Sequence, residues 1–105
     1  MARAVSCWAE VNGVSLRYRI TGTGDQTWVL VHEMAGMIES WDGVAPLLAT
    51  DARVVCYDQR GFGLSEKGVP INLPAMVQDL AALLDELRIT TPVCLAAGAL
   101  GAAIC

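Results

Sequence analysis

The sequence predicts a mixed α/β fold: a β-hairpin, then a β-α-β-α-β unit whose helices cover both faces of one sheet, giving three layers. Three observations predict it. The dipeptide Asn12-Gly13 separates two strand-like segments and is the strongest short signal for a hairpin turn. The later strands are continuous apolar runs, which are typical of strands buried on both faces of a parallel sheet. Residues 73–88 carry apolar side chains at helical spacing.

The predicted strands follow a regular order along the chain. They cover residues 6–11, 14–21, 27–32, 53–57 and 93–96. The first two form the hairpin, and a turn at 22–25 leads into the third. A short helix is predicted at 41–49, with Ser40 as its N-cap and Asp42 in its first turn. Pro46 leaves the start of this helix open, because proline is tolerated only near a helix N-terminus.

The segment 73–88 is the clearest predicted helix. Asn72 is placed to cap it, and Pro74 falls in its first turn. Its apolar face is predicted to consist of residues at helical spacing, namely Leu73, Val77, Leu80, Leu84 and Leu87. A further helix is expected to begin at Leu100, directly after the last strand.

Three blocks of sequence carry the chemical information. The first covers residues 29–36 and continues into 40–42, the second covers 54–65, and the third is the small-residue pentapeptide 97–101. The second block is the most specific, since it contains the pattern Asp-x-Arg-Gly-x-Gly-x-Ser beginning at Asp58. In this order and spacing, the blocks resemble the N-terminal half of an α/β-hydrolase fold protein, in the branch of esterases, enol-lactonases and haloperoxidases. The resemblance implies that the chain supplies the first five strands of that fold and stops after its nucleophile elbow.

The third block has the frame of a nucleophile elbow, small-x-nucleophile-x-Gly, in which small residues avoid clashes with the flanking strand and helix. Ala99 stands at the nucleophile position; a second register puts Gly98 there, and neither residue offers a hydroxyl or thiol. The resemblance implies that an acid and a histidine follow the nucleophile in the chain. The residues after Ala99 contain neither. A complete catalytic triad is therefore not expected within these residues.

The same resemblance implies other groups of a hydrolase site. An oxyanion hole needs one backbone N–H after the nucleophile position, here that of Leu100, and one from the loop after the third strand, here that of Met34. Glu33 stands where the family usually has glycine. Its carboxylate either points into the pocket as a general acid or base or faces solvent, as most carboxylates do. Trp41 either lines the pocket or packs in the core.

Several residues near these blocks are implied to be structural rather than catalytic: His32, Asp58, Arg60, Gly61 and Gly63. The sole histidine, His32, ends a strand far upstream of the elbow. Asp58 and Arg60 are expected to tie their loop together by hydrogen bonds and an ion pair. A short Asp can accept from local N–H groups, and a planar guanidinium can hold several acceptors at once.

Composition and charge exclude several classes of function. The net charge is −4 and the basic residues are scattered singly, so nucleic-acid binding has no electrostatic support. No apolar stretch is long enough to span a membrane. The four cysteines show no paired spacing and, with one histidine, build no metal site. We therefore expect a reduced cytoplasmic protein without metal or other cofactor.

Two functions stay open on the sequence. In the first, residues 1–105 form a partial domain, its C-terminal half absent, of a hydrolase of carboxylic esters or lactones, and the chain as written is inactive. In the second, the protein is a non-catalytic relative, a pseudoenzyme that keeps the pocket and the oxyanion donors to bind a small carbonyl compound. The last strand would leave an uncovered apolar edge. If the chain is not a fragment, it is expected to need a partner chain that covers this edge.

Overall fold

The computed structural model of the chain describes residues 5–33, 36–97 and 104, and their strands form one five-stranded sheet. The strands are β1 (Cys7–Val11), β2 (Val14–Thr21), β3 (Thr27–Val31), β4 (Arg53–Tyr57) and β5 (Cys94–Ala97). Their order across the sheet is β1-β2-β4-β3-β5. The pairs β1–β2 and β2–β4 are antiparallel, whereas β3 pairs in parallel with both β4 and β5. The predicted mixed α/β fold is confirmed.

The hairpin between β1 and β2 turns at the predicted dipeptide. Asn12 has φ 51° and Gly13 has φ 79°, so both adopt the left-handed conformation that a two-residue type I′ turn requires. The turn fixes the register by placing Val11 opposite Val14. Glycine and asparagine suit these two positions because they tolerate the left-handed region better than other residues do.

The three parallel strands end at the same edge of the sheet. Val31, the last residue of β3, lies opposite Tyr57 of β4 and Ala97 of β5. Most residues of β3 and β4 are buried, as their apolar runs predicted, while β5 is only partly buried because it is an edge strand. The observed β5 begins and ends one residue later than the predicted segment 93–96.

Helices cover both faces of the sheet and so complete the three layers. The helix α2 (Leu73–Glu86) packs on one face, where the larger core cluster includes Val29, Val55 and Leu83. A 3₁₀ turn (Ile38–Trp41) and the short helix α1 (Ala45–Leu48) pack on the other face. Within the described residues, no helix combines the length and the apolar character that a membrane span requires.

The predicted helix at 41–49 is wrong in its extent. The structure has two separate pieces, the 3₁₀ turn and α1, because Ile38 is drawn into the core with 2% exposure and Pro46, which lacks an N–H, must lie in a first helical turn. Ser40 is not the N-cap of this helix. It lies inside the 3₁₀ turn, where its Oγ accepts a hydrogen bond from the N–H of Met37 at 3.2 Å.

The second predicted helix is confirmed at its start and wrong in part of its face, since Leu80 is buried and Leu84 and Leu87 pack against the core. The side chain of Asn72 accepts a hydrogen bond from the N–H of Ala75 at 2.9 Å, so the predicted cap is in place. The helix ends at Glu86, two residues before the predicted end. The predicted face placed Leu73 and Val77 in the core, but both are exposed. The buried residues are Met76, Asp79, Leu80 and Leu83. A count of apolar residues misses this face because one of its members is a charged aspartate with a buried partner.

Candidate functional site

The predicted site residues that the structure describes gather at the edge where the parallel strands end. His32 directly follows β3, and Asp58 to Arg60 directly follow β4. In open α/β sheets, ligands bind in the crevice outside the carboxyl ends of the strands. The remaining predicted positions, Met34, Ala99 and Leu100, lie outside the described residues.

His32 is fully buried, and both of its ring nitrogens are engaged. Nε2 accepts a hydrogen bond from the backbone N–H of Gln59 at 2.9 Å. Nδ1 lies 2.7 Å from the carbonyl oxygen of Glu33, so Nδ1 carries the proton and donates a hydrogen bond to that oxygen. The ring also meets Phe62 edge to face, with the centroids 5.7 Å apart. Neither nitrogen is free to take a proton from a substrate, which supports a structural role for this histidine.

Asp58 is a fully buried carboxylate that joins three parts of the chain. Its Oδ2 accepts from Nε of Arg17 at 2.6 Å and from the N–H of Leu64 at 2.8 Å. Its Oδ1 accepts from the N–H of Ile38 at 2.6 Å, at the start of the 3₁₀ turn. Asp58 therefore holds β2, the 3₁₀ turn and the loop after β4 together, rather than facing a pocket.

Arg60 forms its ion pair with Asp79 of α2, and not with Asp58. Its Nε and second terminal nitrogen contact the two carboxylate oxygens at 2.7 and 2.9 Å, and its other terminal nitrogen donates to the carbonyl of Pro70 at 3.0 Å. The hydrogen bonds with Asp79 raise the pKa of Arg60 above its ordinary value. Asn12 also donates to Asp79, at 2.9 Å, so the hairpin turn joins this buried pair.

Arg17, Arg19 and Glu39 were not identified as site residues from the sequence. Arg17 is 3% exposed and binds Glu39 through both terminal nitrogens, at 2.6 and 3.2 Å, while Arg19 reaches the same carboxylate at 3.0 Å. The sequence did contain a signal that could have identified the two arginines. Residues two apart on a strand share a face, so the two arginines of the predicted second strand had to lie side by side.

We expect acid to weaken this cluster. The hydrogen bond from Arg17 is the largest cause that lowers the pKa of Glu39 below its ordinary 4.5. Because the pKa is lower in the folded state, Glu39 adds stability above pH 4.5 and loses it as the pH falls through the folded value. Urea unfolding of the wild type and of Glu39→Gln should therefore give a stability difference that shrinks from about pH 5 to about pH 3. A difference that stays constant over this range would contradict the expectation.

The other predicted residues are placed as follows. Glu33 is exposed, and its carbonyl accepts from the N–H of Gly36 at 2.9 Å. Trp41 is half-buried and packs against the smaller core cluster, and its Nε1 is buried without a partner among the described residues. Gly61 and Gly63 have φ of 81° and 54°, in the left-handed region that favours glycine.

A cavity of about 440 Å³ lies elsewhere, on the sheet face that α1 partly covers. Its walls include Arg19, Thr21, Ala49 and Cys56, and among the described residues Glu33 is not part of them. Burial raises the pKa of the Cys56 thiol to about 12, so this thiol is not a nucleophile at neutral pH. Across residues 5–33, 36–97 and 104, no group of three His, Cys, Asp or Glu side chains is placed to hold a metal ion.

Comparison with known proteins points to one family. The profile of the alpha/beta hydrolase fold family matches residues 28–105. A protein named probable oxidoreductase EphD, from Mycobacterium tuberculosis (strain H37Rv), is 40% identical over 86 residues, which is 78% of this chain and 14% of that protein.

Solved structures agree. The epoxide hydrolase VrEH1 from Vigna radiata superposes with a TM-score of 0.88 at 28% identity, over 96% of this chain and 32% of that one. The enol-lactonase from Burkholderia xenovorans LB400 gives 0.83 at 30% identity, over 90% and 38%. The chain thus spans about a third of the length of these solved structures. The likeness to enol-lactonases was expected from the sequence, and the likeness to epoxide hydrolases was not.

Proposed function

Because the chain belongs to the α/β-hydrolase fold family, we propose that it is part of a protein of the ester- and lactone-hydrolysing kind, and that these residues do not themselves turn over substrate. The observation that carries this proposal is Ala99, which stands at the nucleophile position of the elbow frame. An alanine methyl group can neither attack a carbonyl nor donate a proton. The similarity to an enol-lactonase structure supports the lactone part of the proposal.

The loss of the nucleophile is a large effect. In a well-studied serine protease, removing the nucleophile costs roughly 10⁶-fold in kcat, and the oxyanion hole and binding alone retain about 10³–10⁴ over water. The described histidine does not compensate, because both ring nitrogens of His32 are already hydrogen-bonded. Glu33 is exposed and has no side-chain partner among the described residues that would hold it towards a substrate.

The part of the site that these residues supply is a supporting frame. The loop after β3 is held at its start by the bond between His32 and Gln59 and at its end by the bond between Ile38 and Asp58. Met34, the proposed oxyanion donor, belongs to this loop. A backbone N–H donor does not depend on the side chain that carries it, so this part of the site is compatible with the residues present.

The second candidate function is the binding of a small carbonyl compound without turnover, by a pseudoenzyme. The presence of Ala99 within an otherwise regular elbow sequence favours it, because the frame and the backbone donors are kept while the nucleophile alone is missing. On this proposal, Met34 and Leu100 would bind the carbonyl oxygen through their N–H groups.

The test is an esterase assay of the purified chain with p-nitrophenyl acetate. We expect hydrolysis no faster than in buffer alone, for both the wild type and a variant with all four cysteines replaced by serine. Hydrolysis above buffer that survives removal of the cysteines would contradict the proposal. In a longer protein that carries a downstream acid and histidine, Ala99→Ser should create esterase activity. If it does not, the base is missing too, and binding is the better proposal.

A further inference from the structure

The hairpin turn contains a dipeptide with chemistry of its own. Asn12 is exposed, and the amide nitrogen that follows it belongs to Gly13. A glycine has no side chain to shield this nitrogen, and no heavy atom outside residues 12–14 lies within 4 Å of the position where a Cβ on Gly13 would be. The turn is therefore open to solvent at Gly13, which is itself exposed.

We propose that Asn12 is a site of spontaneous deamidation, gated by its contact with Asp79. The backbone nitrogen of Gly13 gives up its proton to solvent and attacks Cγ of Asn12. The Cγ–Nδ2 bond breaks, and the nitrogen leaves as ammonia with a proton from water, so a five-membered succinimide closes. Water then opens the ring at either carbonyl, giving an aspartate at position 12 or its β-linked isomer. In total, one water is consumed, one ammonia is released, and nothing is oxidised or reduced.

The gate is the hydrogen bond that holds the side-chain amide. Nδ2 of Asn12 donates to Oδ1 of Asp79 at 2.9 Å and to the carbonyl of Ala75 at 3.4 Å. While both bonds are made, the amide is fixed towards α2 and is not free to rotate to meet the nitrogen of Gly13. Deamidation then requires the turn to open, and local openings of this kind occur at the low end of a protein's stability range.

The aspartate that deamidation creates at position 12 cannot make the contact with Asp79 that Asn12 makes. Asp79 is 1% exposed and already shares its carboxylate with Arg60 through two hydrogen bonds. Deamidation replaces the donor at position 12 by a second carboxylate, so two like charges face one guanidinium. Like charges held this close repel each other, and the carboxylate of Asp79 is shielded from water. The modified turn cannot close as before, and the change is one-way because the ammonia is lost to solvent.

Asn72 is the matched control within the same chain. It is the other asparagine, but it precedes Leu73 and caps α2 by accepting from the N–H of Ala75. A leucine side chain shields the following nitrogen. An aspartate caps a helix as well as an asparagine does, and its charge favours the helix N-terminus. The same chemical change is therefore slow at Asn72 and harmless if it happens.

The experiment incubates the folded chain in mildly alkaline buffer and maps the mass of its tryptic peptides with time. Peptide 4–17 contains Asn12, and peptide 68–88 contains Asn72. We expect peptide 4–17 to gain one mass unit and to separate into aspartyl and β-aspartyl forms, while peptide 68–88 stays unchanged. The rate in the folded chain should be about tenfold or more below that of a synthetic peptide 4–17, because the turn must open first. An unchanged peptide 4–17, over a period in which the synthetic peptide converts, would overturn the proposal. An equal rate in the folded chain and in the synthetic peptide would overturn the proposal that the contact with Asp79 slows the reaction.

Variants test the consequence without waiting for the reaction. Asn12→Asp should unfold at a lower urea concentration than the wild type, and Asn72→Asp at the same or a higher one. Asn12→Gly loses the contact without adding a charge and should fall between Asn12→Asp and the wild type. Equal midpoints for Asn12→Asp and the wild type would overturn the proposed role of Asp79.

Discussion

Replacing Asp58 by alanine is expected to lower the free energy of unfolding by about 3–5 kcal/mol, which is the usual cost of removing one partner of a buried ion pair. The carboxylate is fully buried and accepts from Arg17, Ile38 and Leu64. Its removal leaves two backbone N–H groups without their acceptor and deprives the buried guanidinium of one of its two carboxylate partners. Urea unfolding followed by tryptophan fluorescence measures the loss.

Two further variants serve as controls for Asp58→Ala. Asp25 is exposed, so Asp25→Ala removes a carboxylate of the same kind without breaking a buried network, and its stability should stay close to that of the wild type. Asp58→Asn keeps the shape and one acceptor oxygen, so it should fall between Asp58→Ala and the wild type and stay folded if the alanine variant does not. Equal midpoints for Asp58→Ala and Asp25→Ala would show that the network adds nothing.

Gly63→Ala is expected to cost about 2–5 kcal/mol, the sum of left-handed backbone strain and overpacking. Gly63 has φ 54°, and a Cβ there would lie 2.2 Å from Oδ2 of Asp58. The carboxylate has no room to move away, because three donors hold it. The methyl group must therefore displace either the loop or the network, and the urea midpoint should fall accordingly.

Gly68→Ala separates the two causes. Gly68 also has a left-handed φ, of 75°, but no heavy atom outside residues 67–69 lies within 4 Å of its Cβ position. This variant should therefore lose only the backbone part, about 1–2 kcal/mol. If the two alanine variants unfold at the same urea concentration, the contact with Asp58 is not the reason that position 63 is glycine.

The fold could be predicted because its signals are local. The hairpin depends on two adjacent residues, Asn12 and Gly13, and the parallel strands on short apolar runs. The errors arose where a distant partner decides the outcome. The buried face of α2 includes Asp79, whose partner Arg60 lies 19 residues away, and apolar spacing alone cannot show that a charged residue belongs in the core.

The positions of the described residues of the candidate site could be predicted, but their hydrogen-bond partners could not. The expected residues after β3 and β4 lie at one edge of the sheet, because parallel strands end together. Their partners were not foreseen. Arg17 meets Asp58 across 41 residues, and that contact depends on the antiparallel register of β2 against β4. That these residues do not turn over substrate stays a prediction, since it rests on Ala99.

The anchoring of the loop after β3 has a consequence for how such a site can diversify. Its first and last positions are fixed by two successive residues, Gln59 and Asp58, that lie outside the loop. The side chain of Glu33, which is exposed between these anchors, can therefore change in identity without disturbing the sheet, whereas a Cβ on Gly36 would lie 2.9 Å from the carbonyl oxygen of Glu33. Closure cost rises slowly with loop length, so even an insertion there costs little compared with any change at the anchors. The anchors thus keep the fold, while substitutions at exposed positions between them can alter what the loop contacts.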